Sequence, residues 1–218
     1  MRVSLIVTLA LMLVPSLALA QTGPATRYLR QMNERVDHIM ERHVTTDADR
    51  TARDAEVTTI LVDLLDFDEL CRRSMDTHWA TLTTAQQTEF SAILRQLVER
   101  NYRQNLERIR EYQVDYTREE TTATGVVAHT SAHSRASHRE PPIAIDYTMH
   151  LVGTTWRVFD VTTDGASLVH NYQQMFHRII TRDGFDALMT RMRDRLAHDG
   201  GPVGATSPAS ATASASAH

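Results

Sequence analysis

His129, His133 and His138 stand close enough together in the chain to suggest a metal site. Such sites gather their nitrogens within about 2 Å of one ion. Thr124, Val126, Val127 and Thr130 favour an extended chain, on which positions four apart lie roughly 13 Å from each other, too far to share an ion. Solvated histidines on a sheet are therefore expected. Asp164, Ser167 and His170 carry the residue types of a hydrolase triad, but no Gly-x-Ser-x-Gly elbow accompanies them. A working triad gathers its members from separate elements, so a turn acid and a helix cap explain Asp164 and Ser167 better. Cys71 is the only cysteine. It cannot close an intramolecular disulfide, and a small buried apolar role is expected for it.

With no catalytic motif in view, charge and leader narrow the classes that remain. Asp and Glu number 27 against 23 Lys and Arg, a formal net charge of −4. That balance argues against a nucleic-acid binder and against a protein held to anionic lipid by charge. Lysine is absent, a bias at every position that reflects codon composition more than the bidentate chemistry of arginine. Arg2 precedes an apolar run from Val3 to Val14, too short to span a bilayer, and Ala18 and Ala20 make an Ala-x-Ala site. Residues 1–20 are expected to be a signal peptide cleaved before Gln21, with no cysteine following to accept a lipid. No later stretch approaches the roughly 20 uninterrupted apolar residues of a membrane span. Residues 200–218 are rich in Gly, Ala, Ser and Thr and nearly free of large apolar side chains. They cannot offset their ordering entropy by burial and are expected to be a disordered tail. Residues 21–199 are then enough for one domain of ordinary size or two small lobes sharing a core.

Tyr28, Leu29, Met32, Val36, Ile39 and Met40 recur at helical spacing, as do Val57, Ile60, Leu61, Leu64 and Leu65. Asp66 or Asp68 can cap a short helix carrying Leu70, Cys71 and Met75. Thr83 and Thr84 each stand three residues before a glutamine, the capping-box arrangement. A long helix should follow, keeping Phe90, Ile93, Leu94, Leu97, Val98, Tyr102, Leu106 and Ile109 on one face. From Tyr112 the period changes to that of a strand. Four antiparallel strands are expected, beginning at Tyr112 and continuing over 122–133, 143–152 and 156–163. Ile143, Ile145, Tyr147, Met149 and Leu151 share one face of the third, which Trp156 and Val158 continue on the fourth. A sheet with one apolar face needs a cover, which the helices supply. Ser167 is placed to cap a helix with Tyr172 and Phe176, and Asp183 or Gly184 opens a last one.

The order of these features resembles one bacterial family, the MlaC-type or toluene-tolerance phospholipid carriers. Leu61 to Phe67, Trp79, the run Leu82 to Gln87 with Phe90, and Leu97, Val98 and Tyr102 look like the family's helical half. Trp156 to Tyr172, followed by Phe176, Ile179, Ile180, Gly184, Phe185 and Leu188, looks like its sheet-to-helix half. Two places depart: Met75-Asp76 stands where the family often has Leu-Gly, and Gln173 where arginine is common. They bear on local helix packing and on a phosphate contact.

The resemblance implies an α+β fold, a four-stranded antiparallel sheet like the nuclear-transport-factor-two cone packed with a helical lobe, and a lipid pocket between them. It also implies a periplasmic phospholipid carrier, not an enzyme, that works between an outer-membrane lipoprotein complex and an inner-membrane ABC transporter with a lipid-binding subunit. Phospholipid would be cargo rather than cofactor, no metal would be required, and the carrier would be a monomer. The tails are expected against Leu94, Leu97 and Tyr102 of the long helix and Tyr147, Met149 and Val158 of the sheet, with Tyr172 and Phe176 closing one side. The alternative is an isomerase or dehydratase on the same cone, with Asp146 and His150 as the acid and base. Both lie on the strand face opposite the apolar one, which disfavours an enclosed catalytic cavity.

Overall fold

The computed structural model describes residues 22–137 and 139–198. The expected leader, His138 and the expected tail lie outside them.

Most of the helices start on a side chain that takes up an otherwise orphaned amide. Thr46 and Asp49 form a capping box at the head of α2 (Asp47–Leu64), and Asp66 accepts from the Glu69 amide at α3 (Phe67–Met75). Thr83 and Gln86 form the expected box at α4 (Thr84–Ile109), and Ser167 accepts from the His170 amide at α5 (Leu168–Asp183). The Thr46 box lies in a stretch that reads from sequence only as a polar connection, because its three-residue spacing to Asp49 is not followed at once by apolar residues. The first helix, α1 (Pro24–Met40), has no local cap but carries proline in its first turn. The Thr26 amide instead donates to the Glu119 carboxylate across 2.7 Å, so a strand residue anchors this helix end. The last helix, α6 (Phe185–Ala197), follows Gly184 at φ +84°.

The sheet is a meander of β1 (Tyr112–Thr122), β2 (Gly125–Ser134), β3 (Ile143–Val152), β4 (Thr155–Thr163) and β5 (Ala166–Ser167), all antiparallel. The expected four strands are thus five, the last a two-residue stub against Thr162 and Thr163 that is too short to show a period. Two bulges set the faces. The register shift between Tyr116 and Arg118 puts Glu119 opposite Ala128, on the face it needs to meet α1. The shift at Met149 pairs that residue with Val158 and leaves Phe159 as the extra residue of β4. Leu65 makes a parallel bridge to Val158, and the Asp66 amide donates to the Val158 carbonyl, so the α2–α3 junction covers the open stretch of the β4 edge. Leu151, expected on the apolar face, is 55 % exposed at the β3–β4 hairpin, beyond the reach of the helical cover.

Apolar packing falls into separate clusters. Leu70, Met75, Phe90, Leu94, Phe176 and Leu188 belong to one that joins α3, α4, α5 and α6. A second joins α1, α2 and the far end of α4 through Met40, Val57, Ile60 and Leu106. Ala25 and Leu29 of α1 pack on Ala128, Met149 and Val158, and Ile143 and Ile145 gather with Ala132 near the opposite end of the strands.

The departure at Met75-Asp76 has a clear local reading. Met75 is buried in the helical cluster in place of leucine, whereas Asp76 sits at φ 48°, ψ −125°, a conformation that favours glycine. Asp76→Gly should therefore raise stability by about 1 kcal/mol in urea denaturation, with an unchanged circular dichroism spectrum.

Candidate functional site

Between α4, α1 and the apolar face of the sheet lies a cavity of about 280 Å³. Holding one water takes only about 10–15 Å³ of such space, so this is a site rather than a packing defect. Its walls are Leu29, Met32 and Val36 from α1, Leu64 and Leu65 from the end of α2, and Leu97, Val98 and Tyr102 from α4. Opposite them stand Tyr116, Ile145, Tyr147, Val158 and Val161 of the sheet, with Tyr172 and Leu168 from α5. Arg100, Asn101, Asn105 and Arg108 of α4 and Arg195 of α6 add polar atoms to this apolar lining.

Of the residues expected to hold acyl chains, Leu97, Tyr102, Tyr147, Val158 and Tyr172 line the cavity. Leu94, Met149 and Phe176 stand outside the lining. Each is fully buried, Leu94 and Phe176 in the helical cluster and Met149 beneath α1. One turn of α4 separates Leu94 from Leu97, and the ring of Phe176, stacked on Tyr172 and edge-on to Phe90, fills the space beside it. Sequence periodicity treats such neighbours alike, since both lie on the apolar face of one helix.

Burial dominates the chemistry of the cavity tyrosines. It pushes the Tyr147 and Tyr172 hydroxyls up to about 12 and raises Tyr102 and Tyr116 as well, so all four are neutral at ordinary pH. Burial also holds the Arg195 guanidinium below its ordinary value, with Tyr172 acting in the other direction.

Asp160 is one of several polar lining residues, with Arg100, Asn101, Asn105, Arg108 and Arg195, that the sequence does not mark as part of a site. Its carboxylate accepts the Ser167 hydroxyl at 2.6 Å and the Val169 amide at 3.0 Å, doubling the cap on α5. An acid seven residues before a capping serine is no helix signal by itself, because the turn at Asp164-Gly165 is what folds it back.

The residues with catalytic looks take up other work. Asp164, at φ 47°, accepts the Ala144 amide, while the His170 ring meets Gln174. His129 pairs with Asp146 at 2.8 Å, and His133 reaches Asp115 at 3.4 Å on a different part of β2, so they share no centre. His150 binds Asp66 at 2.7 Å, the same carboxylate that caps α3. Neither Asp146 nor His150 lines the cavity. No cluster of three or more His, Cys, Asp or Glu suited to a metal occurs among the described residues. Cys71 is buried, and desolvation pushes its thiol up to about 11.

The model of the MlaC protein family matches residues 30–194. The chain belongs to the MlaC family. No curated protein sequence matches it. Among solved structures, a phospholipid-binding protein from Ralstonia solanacearum, determined in complex with a phospholipid, is similar to this MlaC chain at a TM-score of 0.66 and 23 % identity. The match covers 80 % of this chain and 98 % of that one, so the two share an α+β fold over nearly the whole of the Ralstonia protein.

The different placements of Leu94 and Leu97 are measurable. Leu94→Ala opens a void in close packing and should cost about 2–5 kcal/mol, whereas Leu97→Ala enlarges an existing cavity and should cost less. Urea denaturation of the two variants gives the comparison, and equal losses would contradict the placement.

Proposed function

We propose that this MlaC-family chain is a soluble periplasmic phospholipid carrier. It encloses acyl chains in the cavity between α4 and the sheet and passes them between an outer-membrane lipoprotein complex and an inner-membrane ABC transporter with a lipid-binding subunit. The observation that carries this reading is an apolar cavity held open inside a domain that is closely packed around it. The phospholipid complex of the Ralstonia protein of similar fold supports it. So does the leader expected over residues 1–20. Among the described residues no helix is long and apolar enough to cross a membrane.

The physical need for such a carrier is large. At about 0.8 kcal/mol per methylene, two tails of together roughly 30 methylenes cost on the order of 24 kcal/mol to expose to water. Moving them from a bilayer into an apolar cavity keeps them dry at both ends, so the exchange itself is nearly neutral. Direction must then come from the partners. Binding and release in this reading involve no bond making or breaking, no metal and no cofactor; the phospholipid is cargo, and one monomer is sufficient.

Organic extraction of the mature protein purified from a bacterial envelope should yield phospholipid at a fixed molar ratio by mass spectrometry. Leu97→Trp should lower that ratio several-fold while the protein still unfolds cooperatively. A wild-type protein that yields no lipid would falsify the carrier reading.

A further inference from the structure

Tyr102, Tyr116 and Tyr147 all line the cavity. Each of these tyrosines is strongly desolvated, and Tyr147 acts electrostatically on both of the others. None of the three hydroxyls makes a hydrogen bond to another described residue. Three phenol donors without a protein partner in the wall of one largely apolar cavity suit a ligand that brings acceptors. Hydrocarbon tails bring none, but the ester carbonyls and phosphate at the head of a phospholipid bring several.

Tyr116 also stands where the cavity changes character. A second hollow of about 450 Å³ adjoins it between α1 and β1, and Tyr116 and Asn33 line both. Its charged walls are Arg30, Glu34 and Asp37 from α1, Asp115 from β1, and Arg135. The Arg30 guanidinium stands 4.9 Å above the Tyr116 ring. Asp37 and Tyr116 stand in the wall of the same hollow, which places the Asp37 carboxylate at the junction. Burial raises its carboxyl above the ordinary value, with Arg135 opposing the shift. Carboxylates outnumber guanidinium groups in this hollow, so an anionic head meets net repulsion, whereas a head carrying phosphate and ammonium finds a partner for each charge.

Building on the carrier reading, we infer that this junction is a headgroup site selective for a zwitterionic amino-phospholipid. Tyr102, Tyr116 and Tyr147 donate to its ester carbonyls and phosphate, Arg30 faces the phosphate, and Glu34 and Asp37 hold the ammonium group. Lipid enters this end of the cavity tails first, and the glycerol backbone stops at the tyrosines.

The test loads the mature protein from vesicles of equimolar phosphatidylethanolamine and phosphatidylglycerol with identical acyl chains, then measures the bound lipids by mass spectrometry after re-isolation. The wild type should hold the ethanolamine lipid in an excess of about threefold, the size expected of one or two partly solvated charge contacts. The double variant Glu34→Gln, Asp37→Asn, which keeps side-chain shape, should lose that excess and hold the two lipids at the vesicle ratio. Tyr147→Phe, which deletes only the hydroxyl, should lower total lipid for both headgroups. A loaded wild type at the vesicle ratio, or an excess that survives the double variant, would overturn the headgroup site and leave the carrier reading standing. An empty wild type would overturn both.

Discussion

The stiffness of α4, held at both ends by different clusters, is the constraint on which the cavity depends. Its 26 residues span about 39 Å. Phe90, Ile93 and Leu94 fix one end among α3, α5 and α6, and Leu106 fixes the other against α1 and α2. Between these anchors the helix crosses the sheet as a beam, and its middle residues, Val98, Asn101, Tyr102 and Asn105, face open space. Had the helix been free to settle, apolar burial would have drawn it onto the sheet and closed the gap. Separate clusters rather than one continuous core are therefore the structural condition for an internal volume, and the close packing of Leu94 and Phe176 is what keeps the volume beside Leu97 and Tyr172 open.

The two faces of the sheet divide the labour. The apolar face meets the cavity and α1, while the other carries paired polar groups that hold neighbouring elements in place. Asp66 shows how much one carboxylate can join: it caps α3 through the Glu69 amide, binds His150 on β3, and its own amide completes the bridge to β4. His129 and Asp146 form a similar contact between β2 and β3. Groups that would attract attention as acids and bases in an enzyme are here bonded to each other across elements, away from the cavity. Asp160 joins the two functions, since it lines the cavity while fixing the start of α5.

Local chemistry was legible wherever the signal and its effect lie within a few residues. The Thr83 and Gln86 box, the Ser167 cap, the Asp66 cap and the change of period at Tyr112 all act over one turn or one strand, and the structure has them where the sequence places them. The Glu119 anchor of α1 and the Asp160 cap of α5 were not legible. One crosses 93 residues to Thr26, and the other depends on the turn between β4 and β5. Bulges were equally hidden, because an extra residue such as Phe159 is itself apolar and does not interrupt an apolar strand.

The sequence by itself determined the fold class and the existence of an apolar sheet face under a long helix, since periodicity and capping report how a segment folds and which of its faces avoids water; the family resemblance lay in the order of particular residues. Only the tertiary structure decided which residues on those faces touch each other and which face a cavity. Leu94 and Leu97 are the same side chain on the same helix face, and Met149 and Tyr147 share one face of β3. Burial in a packed core and burial against a cavity draw on the same hydrophobic side chains. What separates them is the distance to the opposite wall, and that is set by the helices and strands that anchor α4 elsewhere in the molecule.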